Sequence, residues 1–298
     1  MRFLARFAMR GPSQAIGLTL VAGALSWLIL PAVCVSGAIV ALIGMQLGSR
    51  PALQVSGAAS VLLVALGFLA AGGFGLALNI GVALAIWIPA ALLGVLVNRR
   101  AALMPALMAS VALGVAVCAA FFVWHGDPTQ WWASQLHAYF HAAGVGSSQS
   151  GSATGKLTKA MAASMSGVTG ALLFLALAAS LLLGRWWQGE LYRPGAFGEE
   201  FRALRFGQVT AVVFFGLLVG GLAGVSLAGN FGIVLRALFL LQGLAVVHAL
   251  VKIYEVQGIW LGVFYAVLLI LSPLNLVLAI FGALDNWLDF RGRARRAR

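Results

Sequence analysis

Charge is the scarcest commodity in this sequence. Only 9% of its 298 residues are Asp, Glu, Lys or Arg, and just 7 are acidic. Soluble domains carry about 25% charged residues. That shortage excludes a water-soluble particle of this size, which would lack the polar surface to coat itself. Strict apolar–polar alternation is also missing, which excludes the strands of a membrane β-barrel. Cysteine is limited to Cys34 and Cys118, both inside apolar runs and without CxxC or metal-ligand spacing. A disulfide framework and a cysteine zinc site are thereby excluded, and both residues read as small hydrophobes. No nucleophile elbow, P-loop or dinucleotide fingerprint is present, which argues against an enzyme and against any bound cofactor. His137 and His141 are four apart, but a zinc protease needs a glutamate directly after the first histidine, and here Ala138 stands there. With His125 and Asp127 close by, they read as interfacial histidines and not as a metal site.

What the sequence has in abundance is apolar length. Hydrophobic residues make up 62% of the chain, and the mean hydropathy is +1.02. The apolar runs are continuous and near the ~20 residues that span a bilayer as a helix. Inside lipid every backbone N–H and C=O must be paired, which a helix achieves within itself. The expectation is an all-α, polytopic helical membrane bundle of about 8–10 spans, forming a single integral membrane domain over 1–298. Pro31 divides the apolar stretch 13–48 in two, and Gly72-Gly73 separates 54–71 from 77–98. Further spans are expected at 101–124, 161–184, 206–228 and 231–251, the last two joined by Gly229-Asn230. Residues 258–288 carry Ser272-Pro273 and read as a short hairpin or re-entrant pair, or else as one kinked span. Between the fifth and sixth spans lies an extracytoplasmic loop, 125–160. Its Trp- and Tyr-rich first half predicts an interfacial helix. A cytoplasmic amphipathic segment is expected at 185–206, where Phe197, Phe201 and Leu204 recur at helical spacing.

The formal net charge of +12 comes from 19 Lys and Arg. They sit between apolar runs and at the chain ends, so they read as topology signals and contacts to anionic lipid rather than as a nucleic-acid surface. Arg2, Arg6 and Arg10 put the N-terminus in the cytoplasm of a bacterial inner membrane, on a retained first span rather than a cleaved signal peptide. Alternation from there puts Arg50, Arg99-Arg100, the arginines of 185–205 and Lys252 on the same side. The basic ending RGRARRAR joins them only if the number of crossings is even.

Polar groups within apolar runs are the candidates for chemistry. Asn79, Arg236, Gln242, His248 and Asn275 are candidates to line a polar cavity or contact a solute; interhelical hydrogen bonding is the plainer role of the amides. His248, Lys252 and Glu255 fall on one helix face if the helix runs that far. Asp285 and Asp289 flank Trp287 and are placed to pair with Arg291 or Arg293. Gly216, Gly220, Gly224 and Ala228 recur every four residues, as does Ala162, Ser166 and Gly170, and Ala15, Thr19 and Gly23. Such stripes let helices approach closely, either inside the bundle or against a partner membrane subunit.

The segment GRWWQGELYRPGAFGEEFRALRFG (184–207) and the ending FGALDNWLDFRGR (281–293) resemble the YybS-like family of bacterial membrane proteins, whose conserved domain has no assigned function. Arg185-Trp186-Trp187-Gln188, Phe197 and Phe201, and Asp285, Trp287, Asp289, Phe290 and Arg291 carry the resemblance. That family is more distantly similar to the membrane S-components of energy-coupling-factor transporters and to MreD rod-shape proteins. The S-component likeness implies small-solute binding or transport, with Ala15, Thr19 and Gly23 only loosely matching a face that docks a coupling subunit. The MreD likeness implies a non-transporting envelope scaffold. Its expected partners are the lipid bilayer, a small solute, and a membrane protein or transporter coupling subunit.

Overall fold

In a computed structural model the chain is described over residues 2–100, 102–142, 153–271 and 273–297, with side chains described outside 69–79 and 153–154. Every regular element among these residues is helical: α1 (Arg2–Ala8), α2 (Pro12–Leu25), α3 (Ala32–Leu47), α4 (Ser49–Val82), a π-helical turn (Ala83–Trp87) and α5 (Ile88–Arg100). There follow α6 (Met104–His125), α7 (Thr129–Ala142), α8 (Ala153–Tyr192), α9 (Ala196–Arg202), α10 (Gln208–Leu222) and α11 (Ser226–Ile253). The chain closes with α12 (Gly258–Ile270), α13 (Leu274–Leu288) and α14 (Phe290–Arg296). Among the described residues five segments are long and apolar enough to cross a bilayer: Ser49–Phe68, Ile80–Arg100, Met104–His125, Gly155–Tyr192 and Ser226–Ile253. A sixth is formed if α12 and α13, bent by 120° at Pro273, count as one span; α2, α3 and α10 are shorter apolar helices. The chain is therefore an α-helical membrane protein.

Proline sets most of the breaks. Pro12, Pro51 and Pro105 lie in first turns, Pro31 and Pro273 cap helices, and Pro128 and Pro194 stand in connections. In each place a missing N–H costs nothing. Pro89 is the exception, one residue into α5. Its ring clashes with the carbonyl four residues back, at Ala85, and the helix widens into a π turn over Ala83–Trp87. The widened turn turns Trp87 inward, fully buried, where its Nε1–H donates to Ser36 Oγ at 2.9 Å.

The chain packs as two compact units. The first comprises 1–110 and 175–204, the second 111–174 and 205–298. In the first, α3 is the core helix, buried from Ile39 to Met45. It packs on α5 backbone to backbone: a Cβ on Gly44 would lie 2.6 Å from the Ala91 carbonyl, and one on Gly94 would collide with that of Ala41. The stripe Ala15, Thr19 and Gly23 on α2 is buried within this unit, with Gly23 against the Trp87 ring. It is thus occupied by the chain's own core and is no open docking face.

In the second unit the glycines again mark close crossings. Gly114 of α6 faces the Gly170 carbonyl of α8, and Gly243 of α11 and Gly282 of α13 meet each other's helix backbones. Asn230 stitches α11 to α8. Its Oδ1 accepts from Gly167 N–H at 2.7 Å and its Nδ2 donates to the Ala163 carbonyl at 2.8 Å. One side-chain amide thus satisfies both ends of a single rung of α8, which suits a polar residue surrounded by apolar packing. The first half of 125–160 forms α7, where Trp131 and Trp132 pack on Phe121 and Trp132 Nε1–H donates to Ser166 Oγ at 2.9 Å.

Four sequence expectations need correction. The connection between α10 and α11 falls at 223–225, not at Gly229-Asn230, because Gly224 takes a left-handed turn (φ +87°) and Asn230 is held inside α11 by α8. The stripe Gly216, Gly220, Gly224 and Ala228 is therefore not one helix face. Gly216 meets open space, Gly224 is the turn, and Gly220 approaches Ala228 of the next helix, so the last two pack the α10–α11 hairpin on itself. Helix α11 ends at Ile253, and Glu255 lies beyond it at φ +52°, so His248, Lys252 and Glu255 do not continue one helical stripe. The fourth is the break expected at Gly72-Gly73: α4 runs as one helix from Ser49 to Val82.

Candidate functional site

A polar cavity lies in the first unit, where α3, α5 and α8 end. Gln46 in the last turn of α3, Asn98 near the end of α5, and Arg185, Gln188, Tyr192 and Arg193 around the end of α8 enclose about 240 Å³. The Phe197 side of α9 closes it. Each polar group arrives there for a local reason: it stands within two turns of a helix end, where an apolar run gives way to polar sequence.

Ion pairs order this wall. Arg185 Nε donates to Glu200 Oε2 at 2.7 Å, and Glu200 Oε1 accepts from Leu103 N–H at 2.7 Å. Both carboxylate oxygens of Glu200 are thus engaged, and α9 is fixed against the start of α6. Arg185 also donates to Gln188 Oε1 at 2.5 Å, leaving the Gln188 amide N–H groups for other acceptors. Glu190, on the same helix, pairs with Arg2 at 2.5 Å and ties α1 to this end of α8. Arg193 is exposed and has no ion-pair partner among the described residues.

The second unit carries a denser ionic cluster. Asp285 is fully buried and pairs with Arg291 at 2.6 Å, itself nearly buried, and with Arg205 at 3.4 Å. Arg205 also reaches Asp289 at 2.5 Å. That contact is the main reason the Asp289 carboxyl lies below its ordinary value, with Gly292 N–H and the charge of Arg296 adding to it. Beside it, Gly207 N–H donates to Asn286 Oδ1 at 3.0 Å. The pairing of Asp285 with Arg291 follows the sequence spacing; the arrival of Arg205 from before α10 does not, because nothing local links residues so far apart.

The sequence candidates do not converge on one cavity. Gln242 is fully buried, accepting from Phe206 N–H at 2.9 Å and donating to the Gly282 carbonyl at 2.7 Å, so both ends of its amide serve helix packing. Arg236 is exposed and lines a mostly apolar cleft of about 170 Å³ with Phe214, Leu217 and Leu276. Asn275 is half-buried near the start of α13. His248 Nδ1 lies 2.8 Å from the Leu244 carbonyl, with the Tyr265 ring edge-on to it. The Asn79 side chain lies outside the described residues. No group of His, Cys, Asp and Glu among the described residues is arranged to hold a metal ion. Sequence reasoning passed over Gln46 and Asn98. Their signal was faint: each is one amide at the end of an apolar run, where solvation is the ordinary explanation.

Fold and cavity together define an α-helical polytopic membrane protein with a polar pocket at helix ends. Beyond that class, the chain matches no family model, no curated protein and no solved structure.

Proposed function

We propose that this is a multi-span protein of a bacterial inner membrane that binds a small polar solute, as the membrane component of a transporter does. One observation carries the reading: the pocket of about 240 Å³ lined by Gln46, Asn98, Arg185, Gln188, Tyr192 and Arg193. Concave sites with a few convergent polar groups on rigid elements are the usual form of a small-molecule site. Arg185 and Gln188 fall in the segment that resembles the YybS-like family, and the distant S-component likeness points the same way. The charge pattern assigns the ends of α3, α5 and α8 to one side of the membrane, and these are the ends that line the pocket. On that reading the pocket opens to the cytoplasm.

Native mass spectrometry of the full chain in nanodiscs tests the proposal. A reproducible bound mass of metabolite size is expected, lost in a Gln46→Ala, Asn98→Ala double variant. Retention of lipid masses alone, or a metabolite mass indifferent to the double variant, overturns it.

A further inference from the structure

We infer that the ligand of this pocket is an anion of the phosphate class, anchored by Arg193; the inference rests on the small-solute reading of the same site. The lining is rich in donors and poor in acceptors. It holds two guanidinium groups and no carboxylate. Arg185 is already balanced by Glu200 and serves as a fixed wall. Its bond to Gln188 Oε1 turns that amide oxygen toward Arg185 and leaves both amide N–H groups free to donate to a ligand. Glu190, the nearest acid on α8, is spent on Arg2. Of the two guanidinium groups in the lining, that of Arg193 is the one with no ion-pair partner among the described residues. A guanidinium presents its donors in a planar fork that matches two oxygens of a phosphate.

One effect opposes an anion. Three helix C-termini meet here, each equivalent to about half a negative charge. It is weakened at two of the three ends. Arg99 and Arg100 occupy the last turn of α5. At the end of α8, the Gly189 and Arg193 carbonyls already accept from Arg193 N–H and Ala196 N–H. A whole guanidinium charge at the pocket wall then outweighs the residual dipoles.

Phosphate chemistry reaches such a site either as a soluble ion or as a lipid headgroup. The test uses the full chain in phosphatidylcholine nanodiscs and measures equilibrium binding of radiolabelled inorganic phosphate. Saturable binding is expected, weakened by about tenfold or more in Arg193→Gln, as loss of a charge-assisted bond implies. Arg193→Lys is expected to restore part of it. Arg295→Gln, which removes the same charge from the exposed tail, is expected to change nothing. If phosphate fails to bind but phosphatidate is retained in an Arg193-dependent way, the anion inference holds with a lipid source, and the solute reading falls. If neither binds through Arg193, the anion inference is overturned. Retention of an uncharged metabolite sensitive to the Gln46, Asn98 variant would in that case leave the solute reading standing.

Discussion

Asp285 concentrates the energetics of single residues in this protein. Its carboxylate is fully buried and is matched by Arg291 at 2.6 Å and Arg205 at 3.4 Å. Removing one partner of a buried pair leaves a charge without compensation, at a cost of about 3–5 kcal/mol. Arg291→Ala is therefore expected to lower the thermal unfolding midpoint in mild detergent severely, while Arg295→Ala, on the same short helix but exposed, leaves it unchanged. Equal midpoints for the two would remove Arg291 from the core. Asp289 gives the pH signature. Its carboxyl is held below the usual 3.8 chiefly by its hydrogen bond from Arg205. A lowered folded-state value means stabilisation that is complete above the unfolded value and disappears as pH falls through the folded one. The midpoint difference between the native chain and Asp289→Asn should thus be present at neutral pH and shrink below about 3.8, the ordinary carboxylate value. A difference that stays constant down to the acid limit would mean Arg205 does not hold Asp289.

Among the elements, the contrast between two glycines separates packing from pattern. Gly282 lies where α13 crosses α11, and an added Cβ would strike the Phe239 carbonyl and come within 2.5 Å of Gly243 N. Gly216, inside the repeating stripe, meets nothing. Gly282→Ala should force the helices apart and destabilise by about 1–3 kcal/mol. Gly216→Ala should be neutral or stabilising by up to about 1 kcal/mol through helix propensity. Thermal midpoints of the two variants, measured side by side in one detergent, decide it; a larger loss from Gly216→Ala would restore that stripe as a packing face. The same contrast shows what could be read from the sequence. Apolar length located the apolar helices within several residues, but it overcounted the spans: five or six of the described segments are long enough to cross, against the eight to ten expected, because α2, α3 and α10 are too short. Pro31 and Pro273 marked true breaks because they lack the N–H a helix interior needs. A period of four could not tell one helix from two with a turn at Gly224, because small residues serve tight turns as well as close crossings. Nor could it tell a cavity amide from a packing amide. Gln242 and Asn230 look alike in an apolar run, and both spend their hydrogen bonds on neighbouring helices. Gln46 and Asn98 became a site only when three helix ends met.

At the level of the whole chain, the bent pair α12–α13 decides on which side the basic tail lies. Charge distribution favours an even number of crossings, which brings the tail arginines to the side of Arg205. The ion pair of Arg205 with Asp289 and the Gly207–Asn286 hydrogen bond join the chain entering α10 to the end of α13. Two groups 2.5 Å apart cannot lie on opposite faces of a bilayer whose apolar core is about 30 Å thick. Cysteine scanning in intact cells reads this directly. With Cys34 and Cys118 replaced by serine, Ala203→Cys and Ala297→Cys should both resist a membrane-impermeant maleimide until the cells are permeabilised. Gly126→Cys, beyond the opposite end of α6, should label at once. Labelling of Ala297→Cys with Ala203→Cys still protected would make α12–α13 a single crossing and break the Arg205–Asp289 contact. Labelling of both with Gly126→Cys protected would keep the contact and invert the protein, turning the pocket of Gln46, Asn98 and Arg193 to the outer face. The anion it takes would then have to come from outside the cell.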